Sequence, residues 1–385
     1  MGGGEPILFL MRRAAGSVGG VQSHGNRLSQ GLAQHFQIDY FHWPGPLWAS
    51  PFLMPWFRRK AARHPAKLVH CDDALTALMG ASLASRHGKK VVATVHGMDL
   101  TLPFGPYQRR LKRALPRLDR VVCVSRATAA EAIKRGARPE RVVVIPNAAE
   151  EVAHPLSKGP ELTERIKDLT GLDLHGKRIL FSLGRPVRRK GFDFFVREVL
   201  PLLADDVVYI AAGPTATTPG VIKAAAKLAG PRNGRLLLVS LGLDTCHEEL
   251  VELGTRPNFH YLTDIDDELR NLLLHAADLF IMPNQMVEGD MEGFGIVALE
   301  AGVRGTPVVA SGIEGITDAV SEGANGRLVA PDDVAAWAEA INHLLADQDQ
   351  LTALGISAAR HATDSFAISI IVEKYRALFE ELAAE

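Results

Sequence analysis

Short apolar runs rich in Val and Ile alternate along the chain with longer stretches whose apolar residues recur at helical spacing. Runs of the first kind, bounded by Gly, Pro and polar clusters, predict β-strands. They fall at Ile7–Met11, Ile38–Phe41, Leu68–Cys71, Val91–Val95, Val121–Val124 and Val142–Ile145. A second series falls at Arg178–Ser182, Val207–Ala212, Leu236–Val239, His260–Leu262, Leu279–Met282, Pro307–Ala310 and Arg327–Val329. The segments between predict helices, among them Gln22–His35, Ala127–Arg135, Asp266–Ala277 and Val334–Ala346. Strands that are apolar throughout, alternating with helices, predict parallel sheets covered on both faces. The expected fold class is α/β: two Rossmann-like, doubly wound domains facing across a cleft, with ligands bound beyond the carboxyl ends of the strands.

The series breaks after Ala148. The segment "PNAAEEVAHPLSKGPEL" is rich in Pro, Ala and charge and shows little periodicity. It divides the chain into an N-terminal domain over 1–150, a linker over 151–176 and a C-terminal domain over 177–364. Residues 365–385, "SFAISIIVEKYRALFEELAAE", carry Ile368, Ile371, Tyr375, Leu378 and Leu382 near helical spacing. They predict one long terminal helix.

Composition changes this picture in one respect. The net charge of −1 hides a basic half and an acidic half: 1–150 carry +13 and 151–385 carry −14. Such asymmetry predicts either different partners for the two halves or mutual attraction between them. The three cysteines, Cys71, Cys123 and Cys246, lie far apart and show no metal or redox spacing, which predicts a reducing compartment. No apolar stretch approaches the roughly 18 residues of a membrane span. The start, "MGGGEPILFLM", lacks a basic region before its short apolar run and reads as a first strand.

Three segments carry the chemistry of phosphate binding. "GSVGGVQSHGNRL" brings Gly16, Gly19 and Gly20 to the entrance of a helix, where backbone amides can approach an anion. A ligand-free strand-to-helix turn fits that loop equally well. "SLGRPVRRKGFDFF" follows a strand with Gly184, Arg185, Arg188, Arg189 and Lys190. Arg binds a diphosphate bidentately and Lys as a point charge, whereas the competing reading is a solvated basic loop. "EGDMEGFGIVALEAG" sets Glu292 and Glu300 eight positions apart around an apolar run that opens with glycines. A buried helix with a Glu at its rim is the plain alternative.

Taken together, these motifs resemble the family-4 retaining glycosyltransferases, whose fold is GT-B. "EGFGIVALEA" resembles their Glu-x7-Glu signature, "GGVQSH" their N-terminal glycine loop and "GRPVRRKGFD" their Gly-Arg…Lys-Gly loop. "TVHGMDL", "VVCVSRATAAE", "VIPNA", "DDELRNLLLHAADLFIMPN", "GTPVVAS" and "NGRLVAPDD" match in order. The resemblance implies transfer of a sugar from a nucleoside-diphosphate sugar, UDP- or GDP-linked, to a glycan or lipid-linked acceptor. It implies that Arg185 and Lys190, with Gly184 and the backbone around Gly293, Phe294, Gly295 and Ile296, hold the diphosphate. Glu300 would take the ribose hydroxyls. Glu292 and His96 would contact the transferred sugar, and Gly19 and Gly20 would let the first loop approach. The terminal helix would pack back on the N-terminal domain. The chain departs from the pattern at "GIEGITDAV", where Asp318 stands in place of a frequent Glu, and in the extra charge of Arg188 and Arg189.

No cofactor or metal is expected, since the donor is a substrate and cations with amides can neutralise the leaving diphosphate. Asp264-Ile265-Asp266 resembles a metal-binding Asp-x-Asp of a different fold, but Asp266 is placed as a helix N-cap. On the acceptor side, Trp48 and Trp56 precede Arg58, Arg59 and Lys60, and Arg109 and Arg110 follow in a second basic helix. Aromatic and basic residues together suit a lipid-diphosphate acceptor or an anionic membrane surface, while a solvated basic helix is the alternative. The expected setting is the cytoplasm, at the inner face of the membrane. A nucleotide-sugar epimerase and a non-catalytic sugar-binding protein are the competing readings. Nucleic-acid binding finds no recognition motif.

Overall fold

The computed structural model describes residues 6–11, 20–42, 50–152, 156 and 158–385. They form two compact units, one of residues 1–148 with 366–385 and one of residues 149–365.

The first unit holds a six-stranded sheet: β1 (Ile7–Met11), β2 (Ile38–His42), β3 (Leu68–Cys71), β4 (Lys90–Val95), β5 (Arg120–Cys123) and β6 (Val142–Val144). The order is β2-β1-β3-β4-β5-β6 and every pairing is parallel. Successive side chains of a strand point to opposite faces, so an apolar strand feeds two cores. Leu8 and Leu10 enter a cluster with Phe57, Leu83 and Leu111. Ile7, Phe9 and Met11 enter another with Leu28, Leu32, Tyr375 and Phe379. The helix Gly20–Leu32 and the terminal helix Ile368–Ala384 cover that second face. They approach so closely at Gly31 that a Cβ there would lie 2.4 Å from the Val372 side chain. The Tyr375 hydroxyl closes the layer with a 2.8 Å hydrogen bond to Thr94 Oγ1.

The second unit repeats the plan with β7 (Arg178–Leu183), β8 (Val207–Gly213), β9 (Phe259–Thr263), β10 (Leu279–Met282), β11 (Val308–Ser311) and β12 (Gly326–Val329). The order is β12-β11-β10-β7-β8-β9, again all parallel. The chain builds outward from β7 to β9, crosses back, and builds the other way from β10 to β12. The order therefore reverses between β7 and β10, the place in such sheets where ligands bind beyond the carboxyl ends of the strands. The α/β class with two parallel doubly wound sheets is as expected.

Three expectations are corrected. Leu236–Val239 is not a strand but part of the helix Pro231–Leu241, which starts with Pro at its first turn and stops at the left-handed Gly242. A four-residue apolar run has the same composition in either state. Residues 151–176 are not linker throughout, because Pro160–Thr170 form a helix that buries Leu162 and Ile166, one turn apart. The terminal helix is not continuous from Ser365. A helix Gln348–Phe366 ends, Ala367 takes extended geometry (ψ 144°), and Ile368 starts a new helix. The break coincides with the change of unit at Phe366.

Candidate active site

In the second unit three loops meet beyond the carboxyl ends of β7 and β10. The loop after β7 runs through Gly184, Arg185 and the turn Arg188–Lys190 to Gly191. Gly191 adopts φ 66°, and a Cβ there would lie 1.9 Å from the Pro283 carbonyl oxygen, so only glycine lets this loop lie on the loop after β10. That second loop runs from Pro283 to Gly295. The third follows β11 and is pressed onto it: a Cβ on Gly315 would lie 1.9 Å from the Gly293 carbonyl oxygen.

These approaches bring charged groups together. The Glu292 carboxylate accepts hydrogen bonds from Lys190 Nζ at 2.5 Å, from Asn284 Nδ2 at 2.9 Å and from Arg189. Arg189 also pairs with Asp290, Nε to Oδ1 at 2.9 Å, and both are buried. Burial by itself would raise the Glu292 carboxyl, but the Arg189 and Lys190 charges outweigh it and hold it far below the usual carboxylate range. Burial would lower Arg189, and the Glu292 and Asp290 carboxylates reverse that and push it above its ordinary value. Lys190 moves the other way. Burial and the neighbouring Arg189 and Arg185 charges outweigh Glu292 and pull its ammonium down. Burial is the largest cause of that lowering, and the Glu292 charge is the largest of the interactions opposing it.

The remaining expected residues of this unit lie nearby or along the same elements. Arg185 is exposed, following Gly184. Phe294 is buried, and Gly295, at φ 88°, precedes the helix Ile296–Gly302. Glu300, in that helix, lies 3.4 Å from Arg270, which also approaches Glu150 at 3.6 Å. Arg188 does not join the cluster. It pairs with Glu249 and lies 3.6 Å from Asp193 and 3.7 Å from Asp244, which makes it a tie within the unit. Asp266 caps the helix Asp267–Ala276 by accepting the Leu269 N–H at 2.8 Å. Asp264 takes the Thr215 N–H at 3.1 Å and its hydroxyl at 2.5 Å. Among the described residues no group of three His, Cys, Asp or Glu side chains could hold a metal ion.

Four participants were not expected in these roles: Arg189, Asp290, Asn284 and Glu314. Glu314 Oε2 accepts the Glu292 N–H at 2.6 Å. For Asn284 and Asp290 the available signal was the density of polar residues in "PNQMVEGDME" on the β10 side, and for Arg189 its place in the basic run Arg188–Lys190; for Glu314 there was none.

In the first unit, His96 follows β4. Its ring Nε2 donates to the Asp72 carbonyl at 2.9 Å, and its backbone N–H donates to Asp99 Oδ1 at 2.8 Å. Asp99 also accepts the Ala74 N–H at 2.9 Å. Burial raises its carboxyl, with His96 and these two amides opposing. Gly20 is the first residue of the helix Gly20–Leu32, whereas Gly19 and Trp48 lie outside the described residues. Trp56 is 51% exposed on the helix Ser50–Arg63, with Lys60 Nζ 5.3 Å from its ring centre and 4.3 Å from that of Phe41. Arg59, Lys60, Arg109 and Arg110 are exposed. Arg58 differs from them, being half-buried and donating to the Leu78 carbonyl at 2.9 Å, a bond that ties two helices. No helix of the described residues is long and apolar enough to cross a membrane.

Two family models match the chain. "Glycosyl transferases group 1" matches residues 170–361 and "Glycosyltransferase Family 4" residues 18–151. D-inositol 3-phosphate glycosyltransferase 1 of Catenulispora acidiphila is 30% identical over 356 residues, covering 86% of this chain and 78% of that protein. The D-inositol 3-phosphate glycosyltransferase of Nocardia farcinica is 29% identical over 308 residues, 80% of this chain. This chain spans 59% of the length of that Nocardia relative and 48% of a Corynebacterium aurimucosum one. Among solved structures, sucrose-phosphate synthase from Thermosynechococcus elongatus shares the fold with TM-score 0.76 at 20% identity, each chain 99% covered. Anabaena HepE in complex with UDP and glucose does so with TM-score 0.72 at 19% identity, covering 98% of this chain and 100% of that one. Fold, family models and relatives agree, and the chain belongs to the GT-B glycosyltransferases of the group 1 and family 4 kind.

Proposed function

We propose that the protein is a retaining glycosyltransferase that moves a sugar from a UDP- or GDP-linked donor to a glycan or lipid-linked acceptor. The observation that carries the reading is the meeting of Lys190, Arg189 and Glu292 at the point where strand order reverses between β7 and β10. Lys190 and the exposed Arg185 stand on the loop after β7, where Lys can meet a diphosphate as a point charge and Arg bidentately. In transfer, the bond from the anomeric carbon to the diphosphate oxygen breaks and its electron pair leaves with the diphosphate, while an acceptor hydroxyl oxygen ends bonded to that carbon and its proton passes to the departing diphosphate. Lys190 and Arg185, with the amides near Phe294 and Gly295, answer the charge that develops there. Glu292 answers the positive charge on the ring, and His96 contacts the sugar. Glu300 holds the ribose hydroxyls. The step runs without a metal.

The relatives named for D-inositol 3-phosphate support an anionic acceptor, and the exposed cations Arg59, Lys60, Arg109 and Arg110 suit one. A lipid-linked acceptor places the protein in the cytoplasm against an anionic membrane surface. The test is product analysis with a panel of UDP- and GDP-sugars, with and without acceptor and with a chelator. A product with the donor's anomeric configuration, formed only with acceptor and undiminished by the chelator, is expected. Conversion of the donor without acceptor, or an inverted product, would overturn the reading.

A further inference from the structure

Among the described residues, two that are not glycine take a left-handed backbone, Asp264 (φ 51°) and Glu314 (φ 48°). For Asp264 the short carboxylate, bonded to Thr215, accounts for it, as Asp tolerates this region. Glu has no such local compensation, and an L residue held there is strained. The strain at Glu314 therefore needs a reason outside the residue itself.

The surroundings of Glu314 give that reason. Gly315 is jammed against Gly293, and its N–H donates to the Glu292 carbonyl at 3.1 Å. Glu314 Oε2 accepts the Glu292 N–H at 2.6 Å. The Thr317 hydroxyl holds the Glu314 carbonyl at 2.9 Å. Both peptide groups flanking the Glu292 Cα are thus fixed by two consecutive residues of the loop after β11, and the left-handed turn at Glu314 lets side chain and next amide reach the same neighbour.

We propose that Glu314 is a positioning residue, held in a strained turn so that its carboxylate clamps the Glu292 backbone and sets where the Glu292 carboxyl group stands. The proposal rests on reading this cluster as the nucleotide-sugar site. The charged groups facing Glu314 are Arg189 from the loop after β7 and Glu292 and Asp290 from the loop after β10. Burial pushes its carboxyl up to about 7, with the Glu292 N–H and Arg189 opposing and the two carboxylates adding to the rise. The clamp is consequently tightest above neutral pH, where Glu314 is an ionised acceptor, and loosens below it.

Two variants test this in the full chain. Glu314→Gly relieves the turn and removes the clamp, and Glu314→Gln keeps an acceptor without a charge. Glu314→Gly should keep or raise the thermal midpoint, while exchange of the Glu292 amide with deuterium accelerates by about tenfold or more. With a donor and acceptor in hand, its kcat should fall by about 10²-fold with donor KM little changed. Glu314→Gln should restore Glu292 protection, recover part of kcat, and lack the inflection near pH 7 expected of the wild type. Unchanged Glu292 exchange in Glu314→Gly would overturn the clamp whatever the protein's substrate. Unchanged kcat with accelerated exchange would overturn the positioning role. A wild type that binds no nucleotide and transfers no sugar refutes the functional reading separately, because the exchange result stands without it.

Discussion

The Lys190 ammonium lies 2.5 Å from the Glu292 carboxylate, tying the loop that leaves β7 to the loop that leaves β10. Both side chains are about seven-eighths hidden, and Arg189 joins them. This buried pair keeps the two loops in register. Removing one partner leaves the other charge uncompensated. Glu292→Ala is expected to lower unfolding free energy by about 3–5 kcal/mol, measured by denaturant titration. A loss well under 1 kcal/mol would mean the ion pair is not formed in solution.

The same pair predicts an acid dependence. The Glu292 carboxyl is depressed on folding, so its contribution is fully present above the unfolded value of about 4.3 and is lost as pH falls below it. Glu292→Gln should flatten the stability curve in that acid range relative to the wild type. Parallel curves would contradict the assignment.

His70 gives a second, independent pH dependence in the first unit. It is fully buried, its Nε2 bonded to Thr94 Oγ1 at 2.9 Å, and burial followed by the His96 charge lowers it to about 3. A histidine depressed on folding is neutral in the native state while the unfolded chain takes up a proton below about 6.5. Stability should therefore fall by about 1.4 kcal/mol per pH unit as pH drops from there toward 3. His70→Gln should remove that slope.

Gly315 has an ordinary φ of −73°, so its requirement is purely steric. Gly315→Ala would drive a methyl into the Gly293 carbonyl and is expected to cost about 1–3 kcal/mol or more, with Glu292 displaced and transfer impaired. Gly323→Ala, a left-handed glycine of the same unit with open space around it, serves as the control for backbone strain alone.

Glu292 and Glu300 should separate kinetically. Under the proposed roles, Glu300→Ala raises donor KM about tenfold with kcat largely kept, and Glu292→Ala lowers kcat by about 10²-fold or more with modest loss of donor binding. Equal losses in both parameters for both variants would contradict the division of roles.

Strands such as Ile7–Met11 and Val207–Gly213 are legible because they are apolar from end to end and buried on both faces. Leu236–Val239 imitates a strand because four apolar residues carry no period, and what decides for a helix is Pro231 before them and Gly242 after. The helix Pro160–Thr170 hides inside a polar stretch because its buried face is only Leu162 and Ile166. In the site, Lys190 and Glu292 each stand in a motif, but their bond to one another does not. Arg189 and Glu292 are 103 positions apart, and their meeting depends on how three loops settle at one strand reversal. Glu314 is invisible for the same reason: its role comes from a backbone angle and a neighbour 22 residues away.

The loops after β7 and β10 are proposed to hold a nucleoside diphosphate. Calorimetric titration of UDP and GDP into the wild type and into Lys190→Ala tests it most directly. The account predicts saturable binding of one of them by the wild type and at least about a tenfold loss in Lys190→Ala, the equivalent of about 1.4 kcal/mol. Equal affinity in the two proteins, or no binding of either nucleotide by the wild type, would contradict it.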